Sequence, residues 1–227
     1  MLIVEPMQDV QSASFSFLVP AGSVFDGEGK NGSAAMLADW ISRGAGDRDS
    51  RTLSSTLDNL GLQRNDTAGT QHITFAGALV ADRLIDSLKL YADILRRPLL
   101  PNEQFESVQL GAEQALRAVE DEPQQKALVE LRRNSFQKPW SLPSDGTLAD
   151  LENITAESVR EHYDRSFRPN GAILGIAGNV DFDDMVRATD EFYGDWKEKP
   201  EVETVPGEYG AKRIDRKSTR LNSSHVV

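Results

Sequence analysis

The chain has 227 residues and a formal charge of −11, with 36 acidic against 25 basic side chains and no cysteine. That length serves one large domain or two small ones. The absence of cysteine removes disulfides and thiolate metal ligands, and the acidic surplus argues against a nucleic-acid footprint.

Met1 leads straight into Leu2-Ile3-Val4, the start of a strand over 2–5, and a second strand is expected over 12–19 (SASFSFLV). No basic–apolar–small leader pattern opens the chain. Because it starts inside a strand, that absence does not fix a compartment, although the lack of cysteine fits a reducing one such as the cytoplasm. Gly22, Gly27 and Gly29 mark a loop before a helix over 31–43, NGSAAMLADWISR, stopped by Gly44. A second helix over 50–60 carries Leu53, Leu57 and Leu60 on one face and ends at Gly61. The runs 62–67 and 70–79 read as a hairpin turning near Ala68-Gly69, which places His72 in its second strand.

Three helices follow. The stripe Leu84, Leu88, Tyr91, Leu95, widened by Ile85 and Ile94, defines a helix over 82–96. Pro98 and Pro101 interrupt the chain before a helix over 102–120 with Phe105, Val108, Ala112, Ala115, Leu116 and Val119 on one side. Pro123 suits the first turn of a helix over 123–136. Residues 137–147 have loop composition, Thr155 and Asp181 are helix N-caps, and the apolar run 171–178 is a strand between them. The last helix covers about 182–194. This order predicts an α+β fold, a two-layer unit with helices packed on a mainly antiparallel sheet. No apolar run approaches the roughly 18 residues of a membrane span.

The end of the chain reads differently. Residues 215–225, DRKSTRLNSSH, match residue for residue the translation of a common short-read sequencing adapter. Residues 215–227 are therefore expected to be non-native. The natural sequence is then cut near Ile214, with 197–214 as a linker to a second domain absent here and 1–196 as the folded unit. Setting that tail aside leaves His72 and His162 as the histidines.

Three stretches carry a family resemblance: VEPMQDVQSASFSFLVPAGS, GTQHITFAGALVADRLIDSLKLYADILRRPLL and RSFRPNGAILGIAGNVDFDDMVRATDEFYGDW. They resemble the N-terminal unit of the pitrilysin/insulinase-type metallopeptidases, which include mitochondrial processing peptidases and respiratory core proteins. The resemblance implies zinc held on the first helix by the two histidines of H-x-x-E-H, a glutamate between them that activates water, and a third ligand on a later helix. Aligned by Asn31-Gly32 and Arg43-Gly44, the two ligand positions fall on Ala35 and Asp39, and the base position on Ala38. The third-ligand position falls on Gln114 or Ala115. Glu113 stands close by, but one residue turns a side chain about 100° around a helix.

The resemblance thus implies a unit that keeps the scaffold without the metal site, and no cofactor is expected in this chain although catalytic relatives bind zinc. Asp39 and Arg43 have the spacing of an i, i+4 ion pair instead. Relatives also hold peptides by adding them as a strand to a sheet edge. The matching residues are Asn65, Asp66 and Thr67, following Arg64, with His72 nearby at a position where relatives often carry a non-ligand histidine. The expected partners are a catalytic homologous subunit or a tandem second domain, together with a peptide or unfolded polypeptide. The alternatives are a metalloendopeptidase component with a remodelled site and an architectural, core-protein-like subunit. Ser54 and Ser55 have no sequence-identifiable base, and Glu120-Asp121-Glu122 lacks calcium-loop spacing.

Overall fold

A computed structural model describes residues 1–200. The linker expected over 197–214 lies mostly outside the described residues, and the adapter-like 215–227 lies wholly outside them. Strands β1 (Leu2–Pro6), β2 (Ser12–Val19), β5 (Gln63–Ala68), β6 (Ile73–Val80) and β7 (Ile173–Gly178) form one sheet in the order β1-β7-β2-β6-β5. β1 runs parallel to β7 and the other pairings are antiparallel, so β1 and β5 are the two edges. A two-stranded ribbon, β3 (Gly44–Ala45) with β4 (Arg48–Asp49), sits outside it. The helices are α1 (Ser33–Trp40), α2 (Ser50–Asn59), α3 (Leu84–Arg96), α4 (Asn102–Glu120), α5 (Pro123–Ser135), α6 (Leu148–Leu151), α7 (Ala156–Ser166) and α8 (Phe182–Tyr193). The molecule is the expected α+β unit.

Period-two alternation assigns the faces of the sheet. Ala13, Phe15, Phe17 and Val19 of β2, Ile73, Phe75 and Leu79 of β6, and Leu174 and Ile176 of β7 are buried in one core. In the middle of the sheet their alternates are small: Ser14 stands between Ala78 and Ala177, and Ser16 between Ala76 and Gly175. Against the buried face lie Leu84, Leu88, Tyr91, Ile94 and Leu95 of α3, with Met185 and Tyr193 of α8. The Tyr91 ring meets Phe15 edge-on at 4.9 Å, and Phe75 sits between Tyr91 and Phe167 at 6.3 and 6.2 Å.

The helix starts follow their caps. Asp49, Thr155 and Asp181 each accept the backbone N–H three residues on, and Thr155 with Ser158 completes a reciprocal capping box.

Several expectations are corrected. The first helix covers Ser33–Trp40 rather than 31–43, and its start is set by Gly32, which at φ 112° holds a left-handed conformation that α-helical residues do not adopt. The hairpin strands extend to Ala68 and resume at Ile73, so the turn occupies 69–72 and His72 lies in it rather than in a strand. Ile85 does not widen the α3 core stripe, being 44% exposed. On α4 only Val108 is buried, while Ala115 is exposed, because this helix lies at the surface. Residues 137–147 are the expected loop, and its last residue, Thr147, caps the short α6, for which the sequence reading gave no element.

Truncating Phe75, fully buried at the centre of this core, removes ring contacts on both sides. Phe75→Ala is expected to cost about 3–5 kcal/mol in urea unfolding. A loss below about 1 kcal/mol would show that the core does not depend on this ring.

Candidate functional site

Helix α1 is buried along Ala34, Met36, Leu37 and Trp40, and of its residues only Ala35 and Asp39 are not. These two are four residues apart, hence on one helical stripe. Trp40 anchors the far side: its indole N–H donates to the Pro101 carbonyl at 3.1 Å, and its ring meets Phe105 at 4.8 Å. The accessible stripe looks onto the edge strand β5, and the two elements are in contact.

Between them lies an open groove of about 380 Å³ walled by Ala35, Ala38, Asp39 and Ser42 on one side, Arg64 through Ala68 on the other, and Asp145. The structure therefore brings Ala35, Ala38 and Asp39 together with Asn65, Asp66 and Thr67, positions that are distant in sequence. His72 and Ala115 contribute nothing to the walls. Glu113, next to the third-ligand position, lines a different groove and is paired with Arg117 at 2.6 Å. Asp145 and Ser42 were not found from sequence. Asp145 arrives because the 143–146 turn docks on the start of α1: the Asn31 side-chain amide donates to the Pro143 carbonyl at 2.9 Å, and Gly32 lies against Gly146. The Pro-Ser-Asp-Gly sequence signals a turn, but nothing local says where that turn packs.

Two of the three carboxylates that line the groove, Asp39 and Asp66, are paired. The Arg43 guanidinium donates to both Asp39 oxygens, at 2.8 and 3.4 Å, so the pair expected from the i, i+4 spacing forms. Arg43 also reaches Gln104 and Ser107 on α4, each at 3.3 Å. The Asp66 side chain is only 11% exposed. It accepts from the Tyr91 hydroxyl and from Arg64, each at 3.3 Å. Burial pushes its carboxyl up to about 6, although Arg64 and the Tyr91 hydrogen bond both favour the charged form.

Catalytic zinc takes three protein ligands drawn from His, Cys and carboxylates. On α1 the aligned positions offer two methyl groups and one carboxylate already engaged by a guanidinium. These residues do not fit the ion. Among the described residues no group of three or more His, Cys, Asp or Glu side chains is gathered as a metal site. A strand edge remains. β5 ends the sheet, and among the described residues its backbone bonds to no element other than β6. Half of its N–H and C=O groups therefore face outward, the template that strand addition uses.

Comparison with known proteins gives a consistent picture. The family described as "Insulinase (Peptidase family M16)" matches residues 2–146, and "Peptidase M16 inactive domain" matches 153–227. Cytochrome b-c1 complex subunit 1, mitochondrial, from Caenorhabditis elegans is 29% identical over 188 residues, covering 81% of this chain and 39% of that protein. The mitochondrial-processing peptidase subunit beta of the same organism is 22% identical over 200 residues, covering 87% and 44%. An uncharacterized zinc protease of Rickettsia felis is 19% identical over 204 residues, covering 89% and 50%. Among solved structures, a peptidase M16 inactive domain from Pseudomonas fluorescens superposes with a TM-score of 0.80 at 15% identity, over 90% of this chain and 50% of that one. The periplasmic protease PqqL from Escherichia coli gives 0.82 at 11% identity, over 93% and 24%. The chain spans half or less of the length of each of these relatives.

The raised Asp66 fixes the sign of a pH effect. A carboxyl whose folded pKa exceeds the ordinary 3.8 adds stability that is complete below about 4 and is lost as pH rises through about 6. Asp66→Asn does not titrate, so its stability relative to the parent should rise across that window in urea unfolding at stepped pH. Parallel profiles would show that Asp66 is not held as described.

Proposed function

Because the chain belongs to the insulinase family of peptidases, peptidase family M16, we propose that it is a non-catalytic unit of such a protein. In this reading it pairs with a zinc-bearing homologous subunit or a tandem second domain, and it supplies part of a surface that holds an extended peptide. The observation that carries the reading is the groove itself, where the unpaired edge of β5 faces an α1 stripe of Ala35, Ala38 and Asp39. Strand addition works through backbone groups and needs no metal. Hydrolysis by this family's chemistry needs a polarised water, and among the described residues no three-ligand set is gathered to hold the metal that would polarise it. The chain is therefore proposed to carry no cofactor of its own, with residues 1–196 acting as the unit and 197–214 as its link to a partner domain.

The relatives support a subunit role at the level of their names: two are subunits of larger assemblies, and one matching family description is an inactive domain. The similarity to a cytochrome b-c1 complex subunit also favours a second, architectural reading, in which the unit packs against partners and holds no peptide.

Amide exchange of the full chain, with and without an excess of an unfolded peptide, separates these readings. The peptide-holding unit should show slowed exchange along Gln63–Ala68 and none along the opposite edge, Leu2–Pro6, with the peptide recovered uncut. Unchanged exchange in β5 would leave the architectural role. Chelator-sensitive cleavage would instead establish a remodelled peptidase.

A further inference from the structure

Behind the groove, at the N-terminus of α1, lies a buried pair of titratable side chains that peptide holding does not use. Asp26 and His162 are 3% and 2% exposed. The Asp26 carboxyl accepts the backbone N–H of Gly32 at 2.8 Å through Oδ2 and that of Ala34 at 2.9 Å through Oδ1. It thereby satisfies donors that the start of α1 leaves free. His162, on α7, approaches from the other side. Its Nε2 is 2.9 Å from the Ala21 carbonyl. A carbonyl only accepts, so Nε2 carries the hydrogen.

That hydrogen bond decides the chemistry of the other ring nitrogen. In a neutral imidazole Nδ1 is then a bare lone pair. It is buried, has no hydrogen-bond partner, and stands 3.5 Å from Asp26 Oδ1. Two lone pairs facing each other in a dry interior repel, and an unpaired buried acceptor is costly. One proton between the groups removes both penalties. On the carboxyl it replaces the Oδ1 lone pair that faces Nδ1 with an O–H, while both carboxyl oxygens still accept from α1, and it leaves the pair without net charge.

We propose that Asp26 and His162 share a single proton held on the carboxyl, and that its departure to solvent with rising pH is a switch that loosens α7 from the N-terminus of α1. With the proton lost, the carboxylate keeps Gly32 and Ala34 but turns a charge toward the His162 lone pair. The groove-bearing helix then stays capped while its contact to α7 weakens.

The surroundings agree with that placement. Burial pushes the Asp26 carboxyl up to about 7, against the Gly32 and Ala34 N–H groups and the Arg165 guanidinium, and Asp150 on α6 adds to the rise. Burial holds the His162 ring down to about 4, with Arg165 acting the same way and the Ala21 and Phe25 carbonyls opposing. Arg165, on α7, donates to the Phe25 carbonyl. The other charges nearby are Arg168, 5.9 Å over the Phe25 ring, and the Lys30–Glu161 pair at 4.0 Å.

The two shifts oppose each other in linkage. Asp26 favours folding at low pH, and its contribution is lost as pH rises through about 7. His162 favours folding at high pH, and its contribution is lost as pH falls through about 4. Global stability is therefore a poor readout, and a local probe is needed. Nitrogen-15 spectra of His162 and carbon-13 spectra of the Asp26 carboxyl, in the full chain between about pH 5 and about pH 9, supply it. The expected result is a ring that stays neutral with Nε2 protonated, and Nδ1 and carboxyl resonances that move together with a midpoint near 7. Amides of α7 around His162 should exchange faster above that midpoint, and the Nδ1 movement should vanish in Asp26→Asn. The carboxyl signal of the parent decides the matter even where the variant fails to fold. A ring that gains its second proton near the ordinary 6.5, or an Nδ1 signal flat across the range, would overturn the proposal. Either result stands whether or not the groove binds peptide.

Discussion

Helix α1 is held on every face but one, and the rest of the unit is arranged around that fact. Ala34, Leu37, Trp40 and the following Ile41 have no solvent-exposed surface. The N-terminus is tied to Asp26, the indole of Trp40 to Pro101, and the chain just beyond, through Arg43, to α4. What is left accessible is the Ala35–Asp39 stripe. Packing energy scales with buried apolar area, so residues on this stripe contribute little to it. A helix anchored in this way can lose ligating side chains from its free stripe while the fold stays intact. The fold and the side chains of the free stripe are thus physically separable.

The groove that results has its own chemistry. Two of its three acidic side chains are paired, Asp39 with Arg43 and Asp66 with Arg64 and the Tyr91 hydroxyl, while Asp145 stands exposed at its wall. Asp66 joins the groove to the core, because its partner Tyr91 packs on Phe15 beneath the sheet. The edge of β5 remains the groove's directional feature, a row of backbone donors and acceptors that, among the described residues, no strand pairs on the outer side.

How much of this was legible depended on the range of the interaction. The α3 stripe of Leu84, Leu88, Tyr91 and Leu95 was visible because periodicity is local, and Thr155 and Asp181 announced their helices for the same reason. The Asp39–Arg43 pair needed only an i, i+4 spacing. His72 was misplaced by a difference of a few residues in turn length, which sequence alone does not fix. The apolar side of α4 was visible in the sequence, yet of it only Val108 is fully buried, with Phe105, Ala112 and Leu116 packed at the rim of the core. Asp145, Asp26 and His162 were not readable as site members at all. Each depends on a contact across many residues, between a turn and a helix start or between α7 and the loop before α1, and no local pattern encodes such a meeting.

The central claim is that α1 retains its place in the fold without the means to hold zinc. Calorimetric titration of zinc into the full chain, after dialysis against chelator, tests it most directly. The account predicts no saturable one-to-one site, and the same weak heats from Asp39→Ala as from the parent. A tight stoichiometric site abolished by Asp39→Ala would contradict it, because Asp39 would then be a ligand rather than the partner of Arg43.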